Sequence, residues 1–213
     1  DDMKKRPNVL MILADQHNAG LLGCAGHGQA LTPNFDAFAG TATRFTNAYA
    51  ANTICTPSRV SILSGQTCHN HGYYGLSGPT TTAPSNLFRH FKANGYRTAG
   101  YGKLHLPCSP RNWIADDVDE FQDAYERADG TLGASEYFDH IENLGLRDVE
   151  DSWHNDRGTY GSKTIQLDAM PSKMPYEHTL EMWCARRAMQ FMEDAGDQPF
   201  CIQIAFQKPH HPL

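Results

Sequence analysis

The stretch NVLMILAD, residues 8–15, is a short apolar run that ends in a carboxylate. Such a run predicts a parallel strand that is buried on both of its faces, because polar residues do not alternate along it. Asp15 would then lie at the carboxyl end of this strand. Open α/β sheets bind their ligands at that edge, so the stretch predicts both a fold class and the place of a site.

The rest of the chain alternates between strand-like and helix-like patterns. Further strands are predicted over 44–49, 96–101 and 199–206, and helices over 33–39, 57–63, 85–93 and 177–194. Residues 107–175 are rich in Asp, Asn, Gly and Pro, and we interpret them as long loops with short helices. Alternating strands and helices predict an α/β domain with a largely parallel sheet.

Composition excludes several classes of function. The 213 residues carry 18 basic and 24 acidic side chains, a formal charge of −6, which argues against a general nucleic-acid binder. No apolar run approaches the roughly 18 residues of a membrane span. The six cysteines form no CxxC pair and are interpreted as isolated thiols, whereas eleven histidines point to site chemistry or a metal.

Polar, chemically capable side chains follow three of the predicted strands. They are Asp15, then Lys103 with His105, then Lys208 with His210. A fourth group, Cys55 with Arg59, lies at a predicted helix start, where the helix dipole and unpaired N–H groups favour an anion. The planar fork of an arginine suits a tetrahedral oxyanion. This pattern predicts one site at one edge of the sheet.

The string CTPSRVSILSG, residues 55–65, resembles the signature of the type I sulfatases, C-x-P-S-R followed by Leu-(Ser/Thr)-Gly. Four further stretches resemble family segments in the family's order, namely 7–15, 31–36, 95–105 and 199–212. The resemblance implies an alkaline-phosphatase-like sandwich whose central, largely parallel sheet is flanked by helices and is incomplete here. Residues 1–213 would be the N-terminal part of the catalytic domain.

The resemblance also implies a role for each matching side chain. Cys55 would be oxidised to formylglycine, whose hydrated aldehyde attacks sulfur with one hydroxyl and expels sulfate through the other. Arg59 would stabilise the diol and the transferring oxygens. Lys103 would hold a sulfate oxygen, and His105 would polarise or deprotonate the diol. His210 matches the H-x-P histidine near the sulfate and the leaving group.

A divalent cation, most often calcium, is implied by the same resemblance. Its ligands in this chain would be Asp15, Gln16 and the modified Cys55. Many sulfatases have consecutive aspartates where this chain has Asp15 and Gln16, and an amide oxygen adds no charge. The family's other metal ligands come after the H-x-P segment. The expectation is therefore an N-terminal fragment or one chain of a nicked enzyme, with the missing C-terminal part as a companion chain.

The leading function is hydrolysis of a sulfuric ester, with a small-molecule or saccharide sulfate ester as substrate. One alternative is phosphonate or phosphate monoester hydrolysis on the same scaffold. Others are a non-catalytic relative that binds sulfated ligands and, more remotely, a metal-free thiol enzyme. No nucleic-acid partner and no membrane span are expected. The compartment is periplasmic or extracellular if a signal has been removed, and cytoplasmic otherwise.

Overall fold

The computed structural model describes residues 6–76, 78, 84–107, 112–124, 135–150 and 172–210. The strands are β1 (Val9–Ala14), β2 (Arg97–Gly102), β3 (Glu120–Asp123) and β4 (Phe200–Phe206). The helices are α1 (Pro33–Ala39), α2 (Cys55–Ser64), α3 (Cys68–His71), α4 (Leu87–Ala93), α5 (Glu136–Asn143) and α6 (Leu180–Ala195). Two single 3₁₀ turns cover Gly23–Ala25 and Tyr176–His178.

The strands form one parallel sheet in the order β1-β4-β2-β3. Cys201 of β4 lies between Val9 of β1 and Thr98 of β2, and Gly102 at the end of β2 pairs with Asp123 of β3. The predicted α/β class with a parallel sheet is confirmed. Because all four strands run the same way, their carboxyl ends meet at one edge of the sheet.

Helices cover both faces of this sheet, and each face has its own hydrophobic core. Successive side chains of β4 point to opposite faces, so this strand contributes to both cores. Ile202 and Ile204 pack with α6 and α5, whereas Cys201 and Ala205 pack with α2 and α4. This second core includes the fully buried Val60 of α2, so it packs that helix together with β4 and the inner face of β1. Burial of the α2 face thus determines where the start of α2, with Cys55, lies relative to the strand ends.

The expectation that β1 is buried on both faces is wrong for the described part of the chain. Val9, Met11 and Leu13 pack toward the α2 and α4 core, but Leu10 is 45% and Ile12 57% exposed. β1 is also the outermost strand of the sheet. An apolar strand of this kind is typical of the interior of a sheet, so its composition alone could not show that one face is uncovered here.

The predicted strand at 44–49 is also wrong, because those residues are exposed and form neither a helix nor a strand. Alternation alone does not make a strand without a neighbour to complete the ladder. Conversely, β3 and α5 lie in the segment interpreted as loops with short helices. β3 is only four residues long, EFQD, and has no alternation that would reveal it.

Most helix boundaries differ from prediction by a few residues. Helix α2 begins at Cys55, two residues before Pro57, because a proline in the first turn removes no hydrogen bond that the helix needs. Helix α6 begins after Thr179, whose hydroxyl accepts a hydrogen bond from the Met182 N–H. No helix within the described ranges combines the length and the apolar character needed to cross a membrane.

Candidate active site

The predicted convergence at the sheet edge is present. Asp15 follows β1 directly, and its N–H donates to the Phe206 carbonyl of β4 (3.1 Å). On the other side of β4, the Lys103 N–H donates to the Ala205 carbonyl (2.8 Å). Two consecutive carbonyls at the end of β4 therefore fix the backbones that carry these two side chains.

A compact charge cluster forms where these side chains meet. Lys103 Nζ lies 2.5 Å from Asp15 Oδ2, and the Arg59 guanidinium lies 3.4 Å from the same oxygen. Arg59 also donates to the Lys103 carbonyl oxygen (2.5 Å), and both cationic residues are only 5% exposed. Two buried cations share one carboxylate, which leaves an excess of positive charge suited to an anionic ligand.

The electrostatics of Asp15 follow from this arrangement. Burial acts to raise the pKa of Asp15, but the hydrogen bond and charge of Lys103 oppose it. The charges of Arg59 and His210 act in the same direction, and the pKa ends below its ordinary value. Asp15 is therefore an ionised carboxylate at neutral pH.

Cys55 is the first residue of α2 and faces this carboxylate. Its Sγ atom lies 4.0 Å from Asp15 Oδ1 and 3.9 Å from Oδ2. Helix α2 has ten residues, so the positive end of its dipole is directed at the same point. The sequence predicts that Cys55 and Arg59 share a site with the strand ends, and the structure brings them together at Asp15.

His105 reaches the site on a backbone turn with an unusual conformation. Its φ is +47°, in the left-handed region, and the Thr56 hydroxyl of α2 donates to its carbonyl oxygen (3.1 Å). Burial, together with the charges of Lys103 and Arg59, lowers the pKa of His105, so its ring is neutral at pH 7. Among the residues that the structure describes, its buried Nδ1 atom finds no hydrogen-bond partner, as expected for a group that binds a ligand.

Three potential metal donors meet at the same point. Donor atoms of Asp15, Cys55 and His210 all lie within 4.8 Å of one another, the one such group of His, Cys, Asp and Glu found among the described residues. Gln16, the other predicted ligand, follows Asp15 with a left-handed φ of +56° and is exposed. Sequence reasoning placed His210 near the leaving group but did not anticipate it among the metal donors.

One residue at the site was missed from the sequence. Asp123, at the end of β3, is 2% exposed, and its carboxylate accepts hydrogen bonds from the backbone of the Lys103–His105 turn. A carboxylate at the end of a strand is the same signal that identified Asp15. It was not recognised because β3 itself was not predicted.

Comparisons with known proteins identify the fold and the family. The sequence profile of the Sulfatase family matches residues 7–213. The chain is 29% identical to the uncharacterized sulfatase YidJ of Escherichia coli over 98% of its own length and 39% of YidJ. It is 27% identical to an N-acetylglucosamine-6-O-sulfatase of Bacteroides thetaiotaomicron, over 97% of this chain and 31% of that enzyme. It therefore spans well under half the length of these relatives.

The fold is shared with a phosphonate monoester hydrolase of Agrobacterium radiobacter. The TM-score is 0.69 at 22% identity, over 97% of this chain and 42% of that structure. This likeness confirms the alkaline-phosphatase-like arrangement of a parallel sheet between helices. Together with the match of the family profile to almost the whole chain, it leads to one assignment: the chain belongs to the Sulfatase family.

Proposed function

We propose that this protein is a sulfuric-ester hydrolase whose nucleophile is a formylglycine made from Cys55. The observation that carries the proposal is the position of Cys55 at the start of α2, with Sγ within 4.0 Å of both oxygens of Asp15. Formylglycine would supply a geminal diol that attacks sulfur and can then release sulfate, which a serine or a thiol cannot do internally.

The cationic side chains provide the means to bind and stabilise the transferring group. Arg59 presents a planar fork held by the Lys103 carbonyl, and Lys103 presents a buried ammonium. Both side chains are buried and held in place by Asp15, so they cost little reorganisation when negative charge develops on the sulfate oxygens. His105, neutral at pH 7, is suited to accept a proton from the nucleophile, and His210 to assist the leaving group.

The donor set fits a divalent cation, which we propose to be Ca²⁺. Ionised Asp15 is a hard oxygen ligand, and its carboxylate lies in one donor group with residue 55 and His210. An oxygen of the modified residue 55 and the amide oxygen of Gln16, the residue after Asp15, would add to this chain's share of the ligands. The cation would act as a Lewis acid toward the sulfate oxygens. A thiol at position 55 suits calcium poorly, whereas a formylglycine oxygen suits it well, so the donor set favours the modified side chain.

We propose a sulfated saccharide or a small sulfate ester as substrate, supported by the relative named as an N-acetylglucosamine-6-O-sulfatase. We also propose that further residues of the same enzyme, continuous or as a companion chain, cover the outer side of β1. Two observations support this: Leu10 and Ile12 are exposed, and β1 is an edge strand in the sheet formed by the described residues. Full activity from these 213 residues alone would contradict it.

The second candidate function is hydrolysis of phosphonate or phosphate monoesters. The likeness to the fold of a phosphonate monoester hydrolase favours it, and sulfate and phosphonate esters present similar tetrahedral anions to Arg59 and Lys103. Parallel kinetics on an aryl sulfate and an aryl phosphonate separate the two. A kcat/KM for the phosphonate at least about tenfold above that for the sulfate would reverse the assignment.

The test of the nucleophile is peptide mass spectrometry across residues 53–59 of protein from its natural host. Conversion of Cys55 to formylglycine lowers the peptide mass by about 18 Da. The peptide with Cys68, a buried thiol at the start of the short helix α3, is the matched control and stays unchanged. An unmodified Cys55 in protein that binds sulfate esters without hydrolysing them would instead support the non-catalytic alternative.

A further inference from the structure

The turn that carries Lys103 and His105 is held from two sides. Its carbonyl groups are held by α2, since Arg59 donates to the Lys103 oxygen and Thr56 to the His105 oxygen. Its N–H groups have other partners. The Lys103 N–H donates to the Ala205 carbonyl (2.8 Å), and the Leu104 N–H donates to the Gly102 carbonyl (2.8 Å). The Leu104 and His105 N–H groups also face the end of β3. Under the proposed function, Lys103 and His105 contact the substrate. Their positions therefore depend on the groups that accept hydrogen bonds from the N–H groups of this turn.

Asp123 supplies the side-chain acceptor for two of these N–H groups. Its Oδ2 atom accepts a hydrogen bond from the Leu104 N–H (2.9 Å) and a longer one from the His105 N–H (3.4 Å). The parallel pairing of β3 with β2 places Asp123 directly beside Gly102, so the carboxylate is delivered to the turn by strand register. At 2% exposure the carboxylate is shielded from water, which makes each of these bonds matter more than it would at the surface.

The turn requires such support because it is conformationally costly. His105 has a left-handed φ of +47°, which an L-residue with a bulky side chain rarely adopts. If the hydrogen bonds to Asp123 were lost, the peptide units of Leu104 and His105 could relax toward ordinary φ values. The His105 ring and the neighbouring Lys103 would then move away from Asp15.

We propose that Asp123 is a positioning residue for the reaction: its carboxylate holds the Lys103–His105 turn in the conformation that aims both side chains at the transferring group. This inference rests on the proposed function. It does not make Asp123 a catalytic residue, because Asp123 acts on the turn by accepting hydrogen bonds from the backbone N–H groups of Leu104 and His105.

The test compares Asp123→Ala, Asp123→Asn and a matched control in the intact enzyme. Asp117→Ala is the control, because Asp117 is also a buried carboxylate (7% exposed) but accepts its bonds from Asn86 and Arg89. Two readouts are used. One is hydrogen exchange of the Leu104 and His105 amides, and the other is kcat and KM for a sulfate ester.

In Asp123→Ala the His105 amide is expected to exchange at least about tenfold faster than in the parent enzyme. The Leu104 amide keeps its bond to the Gly102 carbonyl, so its exchange should accelerate by a smaller factor. A displacement of catalytic groups by about 1 Å lowers kcat/KM by about 100-fold, and we expect this loss mainly in kcat. Asp123→Asn keeps an acceptor oxygen and should recover most of both effects. Asp117→Ala should lose stability without changing either the two amides or kcat.

Three outcomes would overturn the inference: parent-like exchange of these amides in Asp123→Ala, parent-like kcat in that variant, or an equal loss of kcat in Asp117→Ala. Failure of the proposed function gives a different result. If the parent enzyme hydrolyses neither sulfate nor phosphonate esters while the amides still respond to Asp123→Ala, the proposed function is refuted and the control of the turn by Asp123 stands.

Discussion

Replacement of Gly102 by alanine tests how closely β2 and β4 must approach next to Lys103. A Cβ atom on Gly102 would lie 2.3 Å from the Ala205 carbonyl oxygen and 3.3 Å from Cys184 Sγ. The same carbonyl accepts the Lys103 N–H hydrogen bond (2.8 Å), so it cannot move away without weakening that bond. Gly102 also has a φ of +89°, which L-residues rarely adopt.

The two costs can be estimated separately. A non-glycine residue in the left-handed region costs about 1 to 2 kcal/mol. The contact at 2.3 Å is more than 1 Å inside ordinary van der Waals distance, and overpacking of this kind costs about 1 to 3 kcal/mol. We therefore expect Gly102→Ala to lower the free energy of unfolding by about 2 to 5 kcal/mol.

The matched control is Gly145→Ala. Gly145 has a similar φ of +69°, but a Cβ atom there would have no heavy atom within 4 Å. It should therefore cost only the conformational part, about 1 to 2 kcal/mol. Urea denaturation of the intact enzyme, followed by tryptophan fluorescence, gives both free energies of unfolding. If Gly102→Ala costs no more than Gly145→Ala, the close approach of β2 to the Ala205 carbonyl is refuted.

Three further predictions concern the site. Arg59→Lys keeps the charge but loses the fork that reaches both Asp15 and the Lys103 carbonyl, so kcat should fall by about 100-fold; a fall of less than threefold would contradict the role of the fork. Removal of divalent ions by a chelator should abolish hydrolysis and added Ca²⁺ should restore it, whereas activity that survives chelation would favour the thiol alternative. Burial and nearby cations lower the pKa of His105 below its ordinary 6.5, so its contribution to stability is complete above that pH and declines as the pH falls toward the folded-state pKa. His105→Gln should therefore lose less stability than the parent as the pH falls below 6.5, as measured by urea denaturation, and an equal loss would contradict this.

The parts of the fold that the sequence predicts correctly are those with a strong local pattern of apolar residues. The runs at β1 and β4 are apolar and bounded, and the helix α6 has apolar residues at helical spacing, so each was identified within a few residues. β3 has four residues with no pattern, and its strand character comes from pairing with β2. Such a strand is produced by tertiary context, which local sequence does not contain.

The site residues that sequence predicts are likewise those that lie next to a strong local signal. Asp15, Lys103 and Cys55 were identified because each follows a recognisable strand or begins a recognisable helix, and the structure brings them together. Asp123 was missed because its strand was missed. The exposed face of β1 was also missed, since the apolar composition of a strand says nothing about which of its neighbours are present. Roles for Gln16 and the identity of the metal stay predictions.

The pairing of β1 with β4 also determines when the site can assemble during synthesis of the chain. Val9 pairs with Cys201, 192 positions later in the chain, so the β1–β4 pair, which is the one that β1 forms among the described strands, cannot form until almost all of these residues have been made. At roughly 5 to 20 residues per second this interval lasts about 10 to 40 s. Throughout it, Asp15 cannot be held against Cys55, and the segment around Cys55 is not yet enclosed by the strand ends. An enzyme that modifies Cys55 would thus meet an open peptide first and a closed site only later.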